Sequence, residues 1–195
     1  DLCIVSHLHP DHFDAAAVEL MNKDIDILCQ PGDDHFIKSA GFINVDAINE
    51  STKRNGIEII RTAGLHGGGM WSEQMGRVSG FILKSEDEPT VYWSGDTVWY
   101  EEVNRIIQQF NPRIIITHSG GASFVKGEPI IMDEVQTLEV CRSAPNSIVI
   151  AVHLESLDHL TVTRSRLREY ANANGIGPDK LLIPKDGDVV EIENS

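Results

Sequence analysis

Ser6-His7-Leu8-His9-Pro10-Asp11-His12-Phe13-Asp14 packs three histidines and a carboxylate into six positions near the start of the chain. The flanks fix its setting. Ahead lies Leu2-Cys3-Ile4-Val5, a short apolar run that reads as a buried strand. Behind lies Ala15-Ala16-Ala17-Val18-Glu19-Leu20-Met21, a helical pattern with Asp14 placed as its N-cap. The cluster therefore occupies a loop leaving a strand end, where α/β folds put their sites.

Neutral imidazole binds borderline cations such as Zn²⁺, and a carboxylate adds charge. His7 and His9, two apart, can turn to one side of an extended segment and grip one ion. Asp11 and His12 point elsewhere and can hold a second. Two ions roughly 3.5–4 Å apart polarise a carbonyl or phosphoryl group and acidify water between them. A His-rich solvated loop is the plainer alternative. Four ligand-type residues at this spacing, on a strand-to-helix loop, favour the metal.

Bulk properties narrow the field. The chain of 195 residues is long enough for one domain with a real core. Sixteen basic against thirty acidic side chains give a formal net charge of -14. That argues against nucleic acid, which needs a basic surface, and against anionic membranes. Cys3, Cys29 and Cys141 are far apart, each in an apolar run, and read as buried thiols of a reducing compartment. With no signal peptide or membrane span visible, the expected location is the cytoplasm.

Strand and helix patterns alternate at first. Residues 25–29 read as a strand, 34–40 as a helix and 42–45 as a strand, which suggests parallel pairing. Residues 56–63, 78–83 and 90–93 then follow as strands, the last two joined by the acidic turn Glu86-Asp87-Glu88-Pro89, and read as antiparallel. Alternation resumes with a helix over 99–110, a strand over 114–117, a helix over 133–141 and a strand over 147–152. A helix N-capped by Thr163 and short strands at 181–183 and 188–192 close the chain. No linker divides it.

Three further ligand candidates each follow an apolar strand: His66 after residues 57–63, Asp96 after 91–93, and His153 after 148–152. If those strands share a direction, their ends converge with the His7 loop. Taken singly each has a bland alternative. A lone loop histidine is usually just hydrogen-bonded, and Asp96 could cap the following helix. All three in order after a His-x-His-x-Asp-His loop support the metal reading.

The series His7, His9, Asp11, His12, His66, Asp96 in Ser94-Gly95-Asp96-Thr97, and His153 resembles the dinuclear ligand set of the metallo-β-lactamase superfamily. Ser94-Gly95-Asp96-Thr97-Val98-Trp99-Tyr100, Gly120-Gly121-Ala122 with Met132-Asp133, and Ala151-Val152-His153-Leu154-Glu155 to His159 look like the branch containing L-ascorbate-6-phosphate lactonase and many uncharacterised hydrolases. The resemblance covers essentially the whole chain. It implies an α/β fold, the four-layer αββα sandwich. It implies that His7, His9 and His66 hold one divalent ion, that Asp11, His12 and His153 hold another, and that Asp96 bridges them, with zinc or manganese as the metals. Asp11, Asp96 and His118 are then the candidates for catalytic roles. His118, at another strand end, could donate to an oxyanion, hold a substrate phosphate, or be a plain loop histidine. His159 is expected to lie behind the ligands or to face the substrate. Gly67-Gly68-Gly69 could permit close approach of substrate, form a lid, or be a mere turn.

Two departures qualify the resemblance. The superfamily has several strands before its first motif, whereas six residues precede His7. The expectation is a single, N-terminally incomplete domain whose native form has further strands, and whose open sheet edge could support a homo-oligomer. No cysteine stands where β-lactam-hydrolysing relatives place one, so β-lactams are not the expected substrates. The resulting expectation is metal-dependent hydrolysis of a small-molecule lactone or ester of a small acidic metabolite, by a hydroxide held between two ions. A phosphodiesterase or nuclease on the same site, or a non-catalytic binding module, are the rivals.

Overall fold

Apolar residues alternate along the central strands, so each strand feeds two different layers. The computed structural model describes residues 1–125 and 128–192. Strands β1 (Leu2–Val5), β2 (Asp26–Cys29) and β3 (Val45–Ala47) form a parallel three-stranded sheet in that order. They are linked by helices α1 (Ala15–Leu20) and α2 (Asp34–Ser39). In β2, Ile27 and Cys29 face these helices with Val5, Phe13, Ile37, Phe42 and Val45. Leu28, between them, faces the other way.

The second sheet contains β4 (Ser51–Arg54), β5 (Ile57–Ala63), β6 (Ser79–Lys84), β7 (Val91–Trp93), β8 (Ile114–His118), β9 (Ile148–Val152) and β10 (Leu181–Leu182). Their spatial order is β10-β9-β8-β7-β6-β5-β4. Pairings from β4 through β7 are antiparallel, and those from β7 through β10 are parallel. Consequently β5, β7, β8 and β9 all run the same way and end on one rim.

Helices α4 (Glu101–Phe110), α5 (Glu134–Ser143) and α6 (Arg164–Ala173) cover the outer face of this sheet. Ile82, Tyr92, Ile115 and Val149 meet Val103, Ile106, Ile107, Leu138 and Leu167 there. Burying each such aliphatic side chain stabilises the fold by about 1.5–3 kcal/mol. The inner face carries Ile59, Phe81 and Trp93, packed against Leu2, Ile4 and Leu28 of the first sheet. The result is helices, sheet, sheet, helices: the expected αββα sandwich.

Local chemistry sets the helix starts. The Asp14 carboxylate accepts from Ala17 N–H at 2.6 Å, Asp133 from Gln136 N–H at 2.9 Å, and Thr163 from Arg166 N–H at 3.2 Å. Helix α4 begins at Glu101, two residues later than the pattern suggested, with Tyr100 at its N-cap and no capping side chain. Asp96 therefore caps nothing.

Several boundaries differ from the sequence expectation. The strand placed at 42–45 is Val45–Ala47 instead. Phe42 is buried against Phe13, ring centroids 5.8 Å apart, as a packing residue before the strand. Residues 188–192 form no strand. Strand β4 and helix α3 (Met70–Met75) have no counterpart in the sequence pattern. The first is a polar edge strand whose Ser-Thr-Lys-Arg sequence carries no apolar alternation, and the second is a short turn behind three glycines. Cys29 and Cys141 are buried, Cys3 is half-buried, and all three are free. No helix among the described residues is long and apolar enough to cross a membrane.

Candidate metal centre

Residues that follow β1, β5, β7 and β9 meet at the shared rim, between the two sheets. His7, His9 and His66 bring ligand atoms within 4.8 Å of one another, and so do His12, Asp96, His118 and His153. Asp96, 2% exposed, lies between the groups. Its Oδ2 is 3.8 Å from His7 Nε2, 3.4 Å from His66 Nε2 and 3.1 Å from His12 Nε2. Asp11 Oδ2 is 3.2 Å from His153 Nε2 and 3.6 Å from His12 Nε2. All seven ligand candidates from the sequence are thus brought together.

Backbone features make the convergence possible. Gly95 has φ +63, and a Cβ there would sit 2.7 Å from the Ser79 carbonyl oxygen. The turn that presents Asp96 therefore requires glycine. His153 has φ +58 and Glu155 φ +62, left-handed values that cost of order 1–3 kcal/mol each in non-glycine residues. The Arg164 guanidinium holds this turn by pairing with Glu155 and Asp186 and by donating to the Leu154 carbonyl.

Hydrogen bonds fix which ring nitrogens face inward. The Ile130 carbonyl can only accept, so His66 Nδ1–H donates to it at 2.8 Å and Nε2 keeps its lone pair. His7 Nδ1 is 3.0 Å from Ser6 Oγ, while its buried Nε2 has no hydrogen-bond partner. An orphaned buried nitrogen costs about 1–3 kcal/mol unless something fills the role. A divalent cation does so, and the surrounding imidazoles and carboxylates are its donor set. The residues present fit metal.

Electrostatics agree with that fit. Burial, reinforced by repulsion from His12, pushes the His7 imidazole down to about 3, despite Asp96. Burial also lowers His66, against the pull of Asp96. Neutral imidazoles are the form that ligates. Burial alone would raise the Asp96 carboxyl, but hydrogen bonds with His118 and His12 outweigh it and hold it well below the usual range. The His153 hydrogen bond lowers Asp11 to about 2. Burial opposes protonation of His153, but Asp11 outweighs it and the imidazole is raised.

His118 departs from expectation. It does not face the rim as a donor to substrate: it is 6% exposed and both ring nitrogens are engaged. Trp93 Nε1–H donates to Nε2 at 2.9 Å, and Nδ1 lies 2.6 Å from Asp96 Oδ1. Asp96 Oδ1 thus meets His118 and lies 3.9 Å from His153 Nε2, while Oδ2 faces His7, His12 and His66.

A cavity of about 230 Å³ opens over the cluster. Ligand candidates His9, Asp11, His66, Asp96 and His153 line it together with apolar Met75, Phe124, Ile130 and Ile131 and with His159. His159 stacks on Phe124 at 5.8 Å, and Trp71 meets Phe124 from behind at 5.4 Å. No lysine or arginine lines the cavity among the described residues. A larger cleft of about 530 Å³ shares only His66 with the cluster. Its Arg61 and Arg77 donate mainly to backbone carbonyls. The sequence does not announce these apolar lining residues, since Met75 and Phe124 lie in segments with no periodic pattern. Gly67, at φ +82, packs against Trp71 and Ile130 and so brings α3 up to that lining.

The sandwich and its histidine-rich rim define a metal-dependent hydrolase of the metallo-β-lactamase class. The chain belongs to the β-lactamase superfamily, residues 1–154 matching the family described as Beta-lactamase superfamily domain. It is 34% identical over 190 residues to UPF0173 protein YddR of Bacillus subtilis, covering 96% of this chain and 74% of that protein. Isothiocyanate hydrolase from Delia radicum gut bacteria superposes with a TM-score of 0.92 at 34% identity, covering 98% of this chain and 76% of that one. A possible metal-dependent hydrolase from Veillonella parvula gives 0.90 at 33% identity, covering 95% and 73%.

Proposed function

We propose that the chain hydrolyses a small, uncharged molecule with an electrophilic carbon, at two divalent metal ions. The observation that carries the substrate class is the cavity: about 230 Å³, lined by ligand groups and by apolar Met75, Phe124, Ile130 and Ile131, with no cationic lining among the described residues. Among the described residues, an anionic substrate would find no cationic side chain in that lining. This favours a neutral lactone, ester or heterocumulene over the phosphorylated or acidic metabolite that the sequence suggested. The similarity to an isothiocyanate hydrolase supports the same class.

In this reading His7, His9 and His66 would hold one ion, Asp11, His12 and His153 the other, with Asp96 shared between them. Such ions supply Lewis acidity and acidify water at neutral pH. The chain's own groups do the rest. Met75, Phe124, Ile130 and Ile131 orient the substrate's hydrocarbon part and exclude bulk water. His159 also lines the cavity and is the side chain there, outside the ligand set, that can handle a proton for the departing group.

The test is a substrate panel on metal-loaded protein: neutral lactones and esters, an aromatic isothiocyanate, a phosphorylated lactone and a phosphodiester. Turnover of neutral members, abolished by chelator, is expected. Preference for the phosphorylated lactone or the phosphodiester would overturn the substrate class.

A further inference from the structure

Trp93 lies on the inner face of the second sheet, stacked on Phe81 at 5.8 Å. It pairs with Ile116 across the β7–β8 ladder. His118, two residues further along β8, therefore projects from the same face, within diagonal reach of a large side chain. The indole N–H is a donor and nothing else. At 2.9 Å it meets His118 Nε2, which must then present a lone pair. In a neutral imidazole the proton is left on Nδ1, aimed at Asp96 Oδ1 at 2.6 Å.

We propose that Trp93 and His118 are positioning residues of the metal centre: the indole fixes the His118 tautomer, and His118 Nδ1–H anchors Asp96 so that Oδ2 faces His7, His12 and His66. The proposal rests on the metal reading above. It removes His118 from the ligands although its distance alone would admit it. It also gives a reason for tryptophan at this position: phenylalanine could face Phe81 there but could not donate. Without the indole donor, His118 can carry its proton on Nε2 and turn a lone pair toward the Asp96 carboxylate. The two would then repel, and the Asp96 side chain would lose its fixed rotamer.

The experiment uses the full chain as Trp93→Phe, His118→Asn, His118→Phe and the Trp93→Phe/His118→Asn double variant. Zinc affinity is measured by competition with a chromophoric chelator, and the His118 tautomer by ¹⁵N NMR of metal-free protein. Trp93→Phe should weaken zinc binding roughly 10–100-fold, the range for partners that orient ligands, and should mix the tautomers. His118→Phe should lose as much or more. His118→Asn, whose amide N–H can replace Nδ1–H, should retain most of the affinity. In that background Trp93→Phe should add little, since its effect runs through His118. Melting of each metal-free variant checks folding, and a Trp93→Phe chain that fails to melt cooperatively leaves the two His118 variants and the wild-type tautomer to decide. A wild type with the proton on Nε2, or a Trp93→Phe chain binding zinc as tightly as wild type, overturns the proposal. A wild type that takes up no zinc overturns the metal reading as well.

Discussion

Asp96 separates a metal role from a structural one more cleanly than any other side chain. Asn keeps its volume and can still accept from His118, but it removes the charge and turns an amide N–H toward imidazole nitrogens. Asp96→Asn should lose at least one metal equivalent by elemental analysis, and kcat/KM should fall by about 10² or more, while the metal-free protein melts within a few degrees of wild type. Full metal with a lowered melting temperature would return Asp96 to a purely structural role. Gly120 gives a second residue-level test. A Cβ there would lie 2.3 Å from the His153 carbonyl oxygen and 2.7 Å from Leu160, with no room to yield. Gly120→Ala should destabilise by roughly 1–3 kcal/mol in urea unfolding and, by displacing His153, should reduce metal occupancy. Unchanged occupancy would show that the close approach does not position that histidine. The seven ligand candidates were legible in the sequence because each sits where an apolar run stops. Trp93 was not: its value depends on the β7–β8 register, which places His118 beside it, and no local pattern reports register.

Strand ends organise the site, and the helices that cover the second sheet keep those ends in register. Leu138 of α5 is fully buried among Tyr92, Ile115 and Val149. Leu138→Ala should cost roughly 2–5 kcal/mol by urea unfolding and leave metal stoichiometry intact, because no ligand lies on that face. Loss of metal from the folded variant would mean that the layers are more strongly coupled than the packing implies. At this scale the sequence revealed nearly every strand of the two sheets and the change from parallel to antiparallel order, since apolar runs and short acidic turns mark them. It hid β4, whose side chains are all polar, and the 42–45 segment, where Phe42 packs as an anchor just before the strand rather than within it. It also hid the cavity wall. Ile130 and Ile131 come from an irregular segment, Met75 from α3 and Phe124 from a loop, and only the tertiary fold brings them together.

Across the whole molecule, the cluster ties one sheet to the other. His7, His9, Asp11 and His12 follow β1 of the three-stranded sheet, whereas His66, Asp96 and His153 follow strands of the seven-stranded sheet. A ligand that binds only the native state stabilises it by about 2.7 kcal/mol at a hundredfold excess over Kd. For a chain of this size that is about 5–10 °C in melting temperature. Chelation should lower the melting temperature by such an amount and zinc should restore it; an unchanged melt after verified metal removal would contradict the cross-link between sheets. The surface, at a formal net charge of -14, lends no support to nucleic acid as substrate. The central claim, two ions held where the sheets meet, is tested most directly by counting them. Metal-stripped protein is reconstituted with Zn²⁺ or Mn²⁺, desalted and subjected to elemental analysis against protein concentration. Two ions per chain are predicted, and no more than trace metal after reconstitution would contradict the account.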